Sequence, residues 1–390
     1  MSALKILQIH NHYREGGGED TVVGKEAAVL RSAGHTVIEY HVDNPTELFG
    51  AATSLLVSPW NPAAARRIRA IVAENLPDVA HVHNTWWALT PSILRALDGL
   101  GVPVVVTLHN YRLLCVNAQL FRDGGPCEDC VGTHPWRGVR HRCYRDSYVA
   151  SAVSAAAIQS NRWLNSWHVV DRLLVLTDFA RSRFLSAGLP PERLHIKSNF
   201  VSDPGPRDGS PSSSRTVLFV GRLSIEKGIL QLLDAWGAAK MGDLTLVVVG
   251  DGPLRPSLEA RSPANVRFIG RLPGNEVEQL MLSSRAMIFP SVWYEGQPMV
   301  LLEALAAGLP LIASDIGGVP ETIADTRAAM LATPGDPASW VSALEHLENA
   351  AWVDGASSAA RAVFEDRYTP EIGLRRLIDE YHQAMANRSI

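Results

Sequence analysis

Short apolar segments alternate along the chain with longer segments whose apolar residues recur at helical spacing. Residues 5–10 form the first apolar run, a glycine-rich stretch follows, and residues 19–33 carry a helical pattern that stops at Gly34. The same order predicts further strands at 36–42, 79–83, 104–108, 173–176 and 194–198, with helices between most of them. Because the strands alternate with helices, we predict a doubly wound parallel α/β sheet.

A tract rich in proline, glycine and serine interrupts this alternation at residues 202–214. It contains no large apolar residue, so it is the predicted linker. Further strands are then predicted at 216–220, 244–249, 266–269, 286–289, 311–314 and 330–332. We therefore expect two Rossmann-like domains, 1–201 and 215–369, that face each other across a cleft. Residues 370–390 include an amphipathic C-terminal helix, which we expect to pack back on the first domain.

Composition excludes several classes of protein. The 390 residues are 46% hydrophobic, and no apolar run approaches the ~18–20 residues that span a bilayer. The first ten residues lack the pattern of a secretory leader, so we expect a cytoplasmic protein. The net charge of −4 gives no reason to expect a nucleic-acid partner. Residues 112–145 are locally basic, and this segment is either a solvated loop or an anion-attracting surface that allows peripheral membrane contact.

The loops that follow the strands of the second predicted domain carry the strongest chemical signal. Ligands of open α/β sheets bind at the carboxyl ends of the strands, where helix N-termini present backbone N–H groups. Arg222 and Lys227 follow the first strand of this domain, so their side chains can clamp a diphosphate and stabilise a leaving phosphate. Either residue in isolation would more often form a surface ion pair. Their joint position between a strand and a helix favours the phosphate role.

Two acidic residues follow the fourth strand of the same domain. A carboxylate such as Glu303 can accept hydrogen bonds from the vicinal hydroxyls of a ribose, and Glu295 can accept them from a sugar. Solvated or helix-capping carboxylates are the alternative. The turn and helix start between the two acids offer backbone groups to a phosphate oxygen or a sugar. With two glycines of the earlier loops, the predicted donor contacts are Gly221, Gly252, Gly296, Gln297, Pro298, Met299, Val300 and Leu301.

The first predicted domain has a glycine-rich loop and histidines at strand ends. Gly16, Gly17 and Gly18 lie between the first strand and a helix, which allows the backbone to approach a charged ligand closely. The loop lacks G-x-G-x-x-G spacing, so a dinucleotide fingerprint is not supported. His109 follows the strand at 104–108, and His83 ends another strand. A lone histidine is more often structural, but the strand-end position makes His109 a candidate site residue.

These motifs resemble glycosyltransferase family 4, whose members are retaining enzymes of GT-B fold. The resemblance is strongest over 216–323, in Gly-Arg-Leu-Ser-x-Glu-Lys-Gly, Gly-Asp-Gly-Pro and two glutamates separated by seven residues. It implies sugar transfer from a nucleotide-diphosphate sugar to an acceptor hydroxyl without a catalytic metal. It also implies a role for each matching residue: Arg222 and Lys227 bind the diphosphate, Glu303 the ribose and Glu295 the donor sugar, while Gly16–Gly18 approach the diphosphate and His109 lies near the reacting sugar.

The resemblance leaves the substrates open. After Glu295 many members have a Gly-aromatic or Ser-Phe-Gly turn, whereas this chain has Gly296, Gln297 and Pro298, so the donor sugar is not defined. The acceptor is a glycan, a lipid-linked sugar or a small molecule. Two alternative functions fit the same fold: a nucleotide-sugar epimerase or hydrolase, and a non-catalytic subunit that binds a nucleotide sugar.

All four cysteines, Cys115, Cys127, Cys130 and Cys143, lie within one segment of the first half. A C-x-x-C pair flanked by two further cysteines suits a tetrahedral structural zinc. Ordinary reduced thiols are the main alternative, and disulfides are the third because they are uncommon in the cytosol. We expect a structural role for any zinc here and no cofactor for catalysis.

Overall fold

The computed structural model describes residues 3–12, 17–44, 60–86 and 88–388. The chain divides into two compact units. The first comprises residues 1–120, 128–199 and 371–390, and the second comprises 121–127 and 200–370. None of the described helices is both long enough and apolar enough to cross a lipid bilayer.

A six-stranded parallel sheet forms the centre of the first unit. Its strand order is β2-β1-β3-β4-β7-β8. The strands are β1 (Lys5–His12), β2 (Thr36–Asp43), β3 (Val79–Val82), β4 (Val104–Leu108), β7 (Arg172–Val175) and β8 (Leu194–Ile196). A small antiparallel hairpin, β5 (Phe121–Arg122) with β6 (Gly125–Pro126), lies between β4 and β7 in sequence.

Helices connect most of these strands, as the alternation predicts. They are α1 (Gly18–Ser32), α2 (Pro62–Asn75), α3 (Ser92–Asp98), α4 (Trp136–Arg140), α5 (Tyr148–Trp163) and α6 (Asp178–Ser186). Side chains of Asn61, Ser147 and Thr177 accept hydrogen bonds from the first-turn amides of α2, α5 and α6. Each cap satisfies N–H groups that have no partner inside the helix, which explains where these helices begin.

The second unit contains its own six-stranded parallel sheet, in the order β11-β10-β9-β12-β13-β14. Its strands are β9 (Thr216–Val220), β10 (Thr245–Val249), β11 (Val266–Gly270), β12 (Ala286–Phe289), β13 (Leu311–Ser314) and β14 (Ala329–Ala332). The helices are α7 (Ile229–Ala239), α8 (Arg255–Glu259), α9 (Gly274–Ser283), α10 (Met299–Ala306), α11 (Val319–Ile323), α12 (Pro337–Glu345) and α13 (Ala350–Arg367). All residues of β12 and β13 are buried, as expected for central strands covered on both faces.

The last helix, α14 (Pro370–Ala386), contributes to the core of the first unit. Leu377, Ile378 and Tyr381 are buried in one apolar cluster with Leu4 and Leu30. This confirms the expectation that the C-terminal helix packs on the first domain. The apolar side chains of α14 are buried because the chain returns to the first sheet after the second unit ends.

The predicted linker at 202–214 packs against the second unit. Arg361 donates to both carboxylate oxygens of Asp203, at 2.7 and 2.5 Å. Ser212 donates through its backbone N–H and its hydroxyl to Asp354, at 3.1 and 2.8 Å. Polar residues of the predicted linker therefore form hydrogen bonds with side chains of α13.

Each sheet has one position where the direction of strand addition reverses. In the first sheet β1 and β3 are neighbours there, and in the second sheet β9 and β12 are neighbours. Loops leave such a pair in opposite directions and open a crevice at the carboxyl ends of the strands. The residues that follow β1, β3, β9 and β12 are therefore the candidates for a ligand site.

Candidate active site

The residues after β9 and β12 form a polar cluster at the reversal point of the second sheet. Lys227 ends the loop after β9, and its Nζ donates to Oε1 of Glu295 at 2.7 Å. Ser291, which follows β12, donates to the same oxygen at 2.6 Å. The side chain of Glu295 is only 7% exposed, whereas that of Lys227 is 22% exposed. The buried carboxylate thus holds an ammonium group that remains accessible to a ligand.

The ring of Trp293 also faces the Lys227 ammonium, with Nζ 5.4 Å from the ring centroid. This distance is within the range of a cation–π contact. The ammonium position is therefore defined by a carboxylate and an aromatic ring together. Such a preorganised cation can stabilise a phosphate that gains negative charge as it leaves.

Arg222 is held in a similar way by the adjacent turn. Its guanidinium donates to Oε1 of Glu226 at 2.6 Å, and the hydroxyl of Ser224 donates to the same oxygen at 2.6 Å. Burial alone would raise the pKa of Glu226, but the hydrogen bonds from Ser224 and Arg222 outweigh it and lower the pKa below its usual value. Half of the Arg222 side chain, 51%, is exposed. The guanidinium therefore presents N–H donors to solvent while its orientation is fixed.

Glycines allow these loops to approach one another. A Cβ atom on Gly228, which has φ +68°, would lie 1.8 Å from the carbonyl oxygen of Pro290. A Cβ on Gly252 would lie 2.5 Å from the carbonyl oxygen of Leu223. Only glycine fits at such distances, so both residues are required for close packing of the loops after β9, β10 and β12.

Helix α10 carries the remaining donor-site candidates of the second unit. It begins at Met299 after Pro298, and no side chain of the described residues caps its N-terminus. Glu303 lies in its second turn and is half-buried. Gln297, Met299 and Leu301 are buried, whereas Gly296, Pro298 and Val300 are partly exposed. The structure thus places Glu295 and Glu303 at the two ends of a short segment in which several predicted contacts face the core.

The glycine-rich loop of the first unit is described only in part. Gly16 lies outside the described residues, whereas Gly17 is the N-cap of α1 and Gly18 is its first residue. The N–H of Gly17 donates to Oδ2 of Asp20 at 2.8 Å, and a Cβ on Gly17 would meet no described atom within 4 Å. Packing within the described part of the unit therefore does not require a glycine at position 17. Close approach of this loop to a diphosphate stays a prediction.

His109 belongs to a chain of buried polar groups that the sequence did not reveal. Its Nε2 lies 3.1 Å from Nδ1 of His83, and Nε2 of His83 lies 3.4 Å from Oε2 of Glu26. Burial is the main cause that lowers the pKa of both histidines well below the usual value. His109 is thus a neutral imidazole.

The same network continues on the other side of Glu26. Lys197 forms an ion pair with Glu26, and both side chains are fully buried. His81 contacts the hydroxyls of Tyr381 and Thr107, each at 2.8 Å, and burial lowers its pKa to about 4. His81 in the apolar strand β3 and His83 directly after it were the only sequence signal for this network. Its other members come from distant parts of the chain.

A partly open cavity of about 60 Å³, lined in part by His109, lies in the first unit. Its walls include His83, Trp86, Arg112 and Asn161. The guanidinium of Arg112 stacks on the indole of Trp86, 4.8 Å from the ring centroid. The cavity therefore combines an aromatic wall with hydrogen-bonding groups beside the candidate histidine.

The four cysteines are free thiols in this structure. Cys115 and Cys130 are buried, and the Sγ of Cys115 donates to the side chain of Asn117 at 2.9 Å. Among the described residues of the first unit, no cluster of three or more metal-ligand atoms includes Cys115, Cys130 or Cys143. Zinc binding by Cys115, Cys127, Cys130 and Cys143 stays a prediction.

Sequence comparisons match both units to sugar-transfer families. Residues 17–199 match the family model described as "Glycosyl transferase 4-like domain", and residues 214–349 match "Glycosyl transferases group 1". A GDP-mannose-dependent alpha-mannosyltransferase from Mycobacterium tuberculosis is 32% identical over 357 residues, which cover 86% of this chain and 80% of that protein.

Other curated relatives match over a shorter span. A 2-deoxystreptamine glucosyltransferase from Streptomyces kanamyceticus is 28% identical over 275 residues, 66% of this chain and 64% of that protein. The chain thus spans less than two thirds of the length of several curated relatives, at 63% and 64% for two of them.

Solved structures share the fold at low sequence identity. The crystal structure of HepE from Anabaena in complex with UDP and glucose has a TM-score of 0.65 and 17% identity, with 96% of this chain and 98% of that chain covered. Together with the two parallel α/β sheets, this likeness confirms the predicted GT-B fold class. The family matches cover most of both units, and the chain belongs to glycosyltransferase family 4.

Proposed function

We propose that the protein is a retaining glycosyltransferase that transfers a sugar from a nucleotide-diphosphate sugar to a hydroxyl of an acceptor. The observation that carries this proposal is the pairing of Lys227 with the buried Glu295 at the reversal point of the second sheet. Crevices at this position of α/β sheets are the usual ligand sites. An accessible ammonium fixed there suits an anionic leaving group.

The two cations supply the main catalytic effect in this proposal. Arg222 and Lys227 bind the diphosphate, and their interaction strengthens as the bond between the sugar and the phosphate breaks. Because Glu226 and Glu295 hold them in position beforehand, little reorganisation is needed during the reaction. Only such differential stabilisation of the transition state accelerates the chemical step.

The carboxylates and His109 provide recognition. Glu303 accepts hydrogen bonds from the ribose hydroxyls, and Glu295 from the donor sugar, as the family resemblance implies. His109 is neutral because burial lowers its pKa, so one of its ring nitrogens can accept a hydrogen bond from a sugar hydroxyl without adding charge. Catalysis in this scheme needs no metal ion. The acceptor is a glycan, a lipid-linked sugar or a small molecule.

The test is a donor panel with and without acceptors. Purified protein is incubated with UDP-, GDP- and ADP-linked sugars, and both the released nucleoside diphosphate and the sugar product are quantified. Acceptor-dependent release with retention of anomeric configuration is the expected result. An inverted product would contradict the retaining mechanism.

The alternative functions predict different outcomes of the same experiment. A hydrolase would release nucleotide equally well without an acceptor, and an epimerase would convert the donor sugar without releasing nucleotide. A non-catalytic subunit would bind a nucleotide sugar and leave it intact. The ion pairs at Arg222 and Lys227 favour the transferase over that last alternative, because a binding module has no need of groups fixed to stabilise a leaving phosphate.

A further inference from the structure

Three histidines and one aspartate converge beside the N-terminus of α1 in the first unit. His10 and His12 lie at the end of β1, and the sheet register pairs His10 with His41 of β2. Oδ1 of Asp20, in the first turn of α1, lies 2.8 Å from Nε2 of His10 and 2.8 Å from Nδ1 of His12. The ring of His41 lies 5.1 Å from that of His12, centroid to centroid. None of these groups has a role in the proposed transfer reaction.

Two buried ring nitrogens in this cluster have no hydrogen-bond partner among the described residues. They are Nδ1 of His10, whose side chain is completely buried, and Nε2 of His41. A buried polar atom without a partner is costly, so each such atom needs an explanation. Here these atoms occur in a group of imidazoles around one carboxylate, which is a typical donor set for a transition-metal ion.

We propose that His10, His12 and Asp20 bind a divalent transition-metal ion of the Zn²⁺ class. The three ligand atoms already lie within 4.8 Å of one another. Two protein imidazoles and a carboxylate form a donor set found in zinc sites. This site is distinct from the predicted cysteine site.

Metal binding at this cluster needs a change of tautomer. Nε2 of His10 and Nδ1 of His12 now face the carboxylate of Asp20, and the ion would take the place of these hydrogen bonds. In the metal-bound form the ring proton of each histidine lies on its other nitrogen. The proton on Nδ1 of His10 would then face Oε1 of Glu19, 3.9 Å away. Such an outer carboxylate commonly orients a metal-bound histidine.

A second cluster in the same unit serves as a comparison. Glu26, His81 and His83 also lie within metal-binding distance of one another. There, however, the ammonium of Lys197 already forms a buried ion pair with Glu26. A divalent cation would have to displace or face that charge, so we assign the metal to the cluster at Asp20.

Binding of Zn²⁺ to the chelator-treated full-length protein tests the proposal. Calorimetry is carried out on the wild type, on His12→Ala and Asp20→Asn, and on His168→Ala as a matched control. His12 is one third exposed and His168 is exposed, so neither alanine variant removes a core side chain. We expect His12→Ala and Asp20→Asn to weaken binding at this site at least about tenfold, and His168→Ala to bind like the wild type.

Absorption spectra with Co²⁺ identify the donor atoms independently. Co²⁺ at the proposed site gives d–d bands without thiolate charge transfer, and His12→Ala abolishes those bands. Absence of Zn²⁺ binding, or binding that is unchanged in His12→Ala and Asp20→Asn, would overturn the proposal. Bands dominated by thiolate charge transfer and insensitive to His12→Ala would also overturn it, because they would place the ion on the cysteines. Metal binding is measured without donor or acceptor, so its outcome is read separately from that of the transfer assay.

Discussion

The two sheets carry their polar clusters in opposite electrostatic states. In the second unit, Arg222 and Lys227 are charged, partly exposed and each paired with one carboxylate. In the first unit, His81 and His83 are fully buried and burial lowers their pKa values, so the imidazoles are neutral near pH 7. The difference indicates that accessible charge for an anionic ligand is concentrated in the second cluster, while the first provides uncharged hydrogen-bonding groups.

The two sheets also differ in their strand order. The second sheet follows the dinucleotide-binding order 3-2-1-4-5-6 when its strands are counted within the unit, whereas the first begins 2-1-3-4. Both orders are doubly wound and both place a crevice at one reversal point. Similar architecture thus supports two different electrostatic environments, which substitution and titration can separate.

Loss of either cation of the second cluster has the largest predicted effect. We expect Lys227→Ala and Arg222→Ala each to lower kcat about 10²–10³-fold, as for removal of one electrostatic contact to developing charge. Steady-state rates with a saturating donor measure the effect. Arg327→Ala is the matched control, because its guanidinium is 81% exposed and pairs only with the nearby Asp325 among the contacts described. Rates like those of the wild type in both variants would remove these residues from the site.

Acidification should destabilise the protein through the buried histidines of the first unit. Burial lowers the pKa of His81 from 6.5 to about 4, so between these values the unfolded chain binds a proton that the folded chain excludes. Stability is therefore complete above about pH 6.5 and falls as the pH decreases toward 4, by about 3 kcal/mol for His81 alone. Denaturant unfolding at several pH values measures this change.

The pH range in which stability is lost distinguishes buried histidines from carboxylates. Asp20 and Glu226 have lowered pKa values, so their contributions are lost only as the pH falls below the usual carboxyl range. A free energy of unfolding that stays constant from pH 6.5 to 5 and decreases only at lower pH would contradict the assignment of neutral buried histidines.

The same contrast explains what the sequence predicted. Arg222 and Lys227 lie in one loop, and Glu295 and Glu303 lie within one short segment, so local spacing was sufficient to propose them as site residues. Glu26, His83, His109 and Lys197 come from four different elements, and only the sheet order brings them together. The alternation of strands and helices predicted both sheets for a similar reason, because that pattern is local. The partners of 202–214 on α13 depend on tertiary packing, which composition does not report.

Removal of the Glu303 carboxylate should weaken nucleotide binding more than the chemical step. Hydrogen bonds to a charged group contribute about 1.5–3 kcal/mol, so we expect Glu303→Ala to raise the Kd of the nucleoside diphosphate at least about tenfold. Calorimetry with the bare nucleoside diphosphate measures this change without an acceptor or a sugar. Glu321→Ala, on α11, is a control of the same residue type in the same unit. An unchanged Kd in Glu303→Ala would exclude the ribose role.

The smallest predicted effect concerns the hydroxyl that orients Glu295. Ser291 donates to Oε1 of Glu295 at 2.6 Å, and Lys227 donates to the same oxygen at 2.7 Å. Because Ser291 acts on the leaving phosphate only through the position of Lys227, we expect Ser291→Ala to lower kcat roughly fivefold, which corresponds to about 1 kcal/mol. Ser283→Ala is the matched control, since its exposed hydroxyl bonds only to carbonyls of its own helix in the described contacts. If Ser291→Ala lowered the thermal stability but left kcat unchanged, the serine would stabilise the loop without positioning Lys227. A change in kcat at constant nucleotide affinity would instead show that the carboxylate must be held in place for the cation to act on the leaving phosphate.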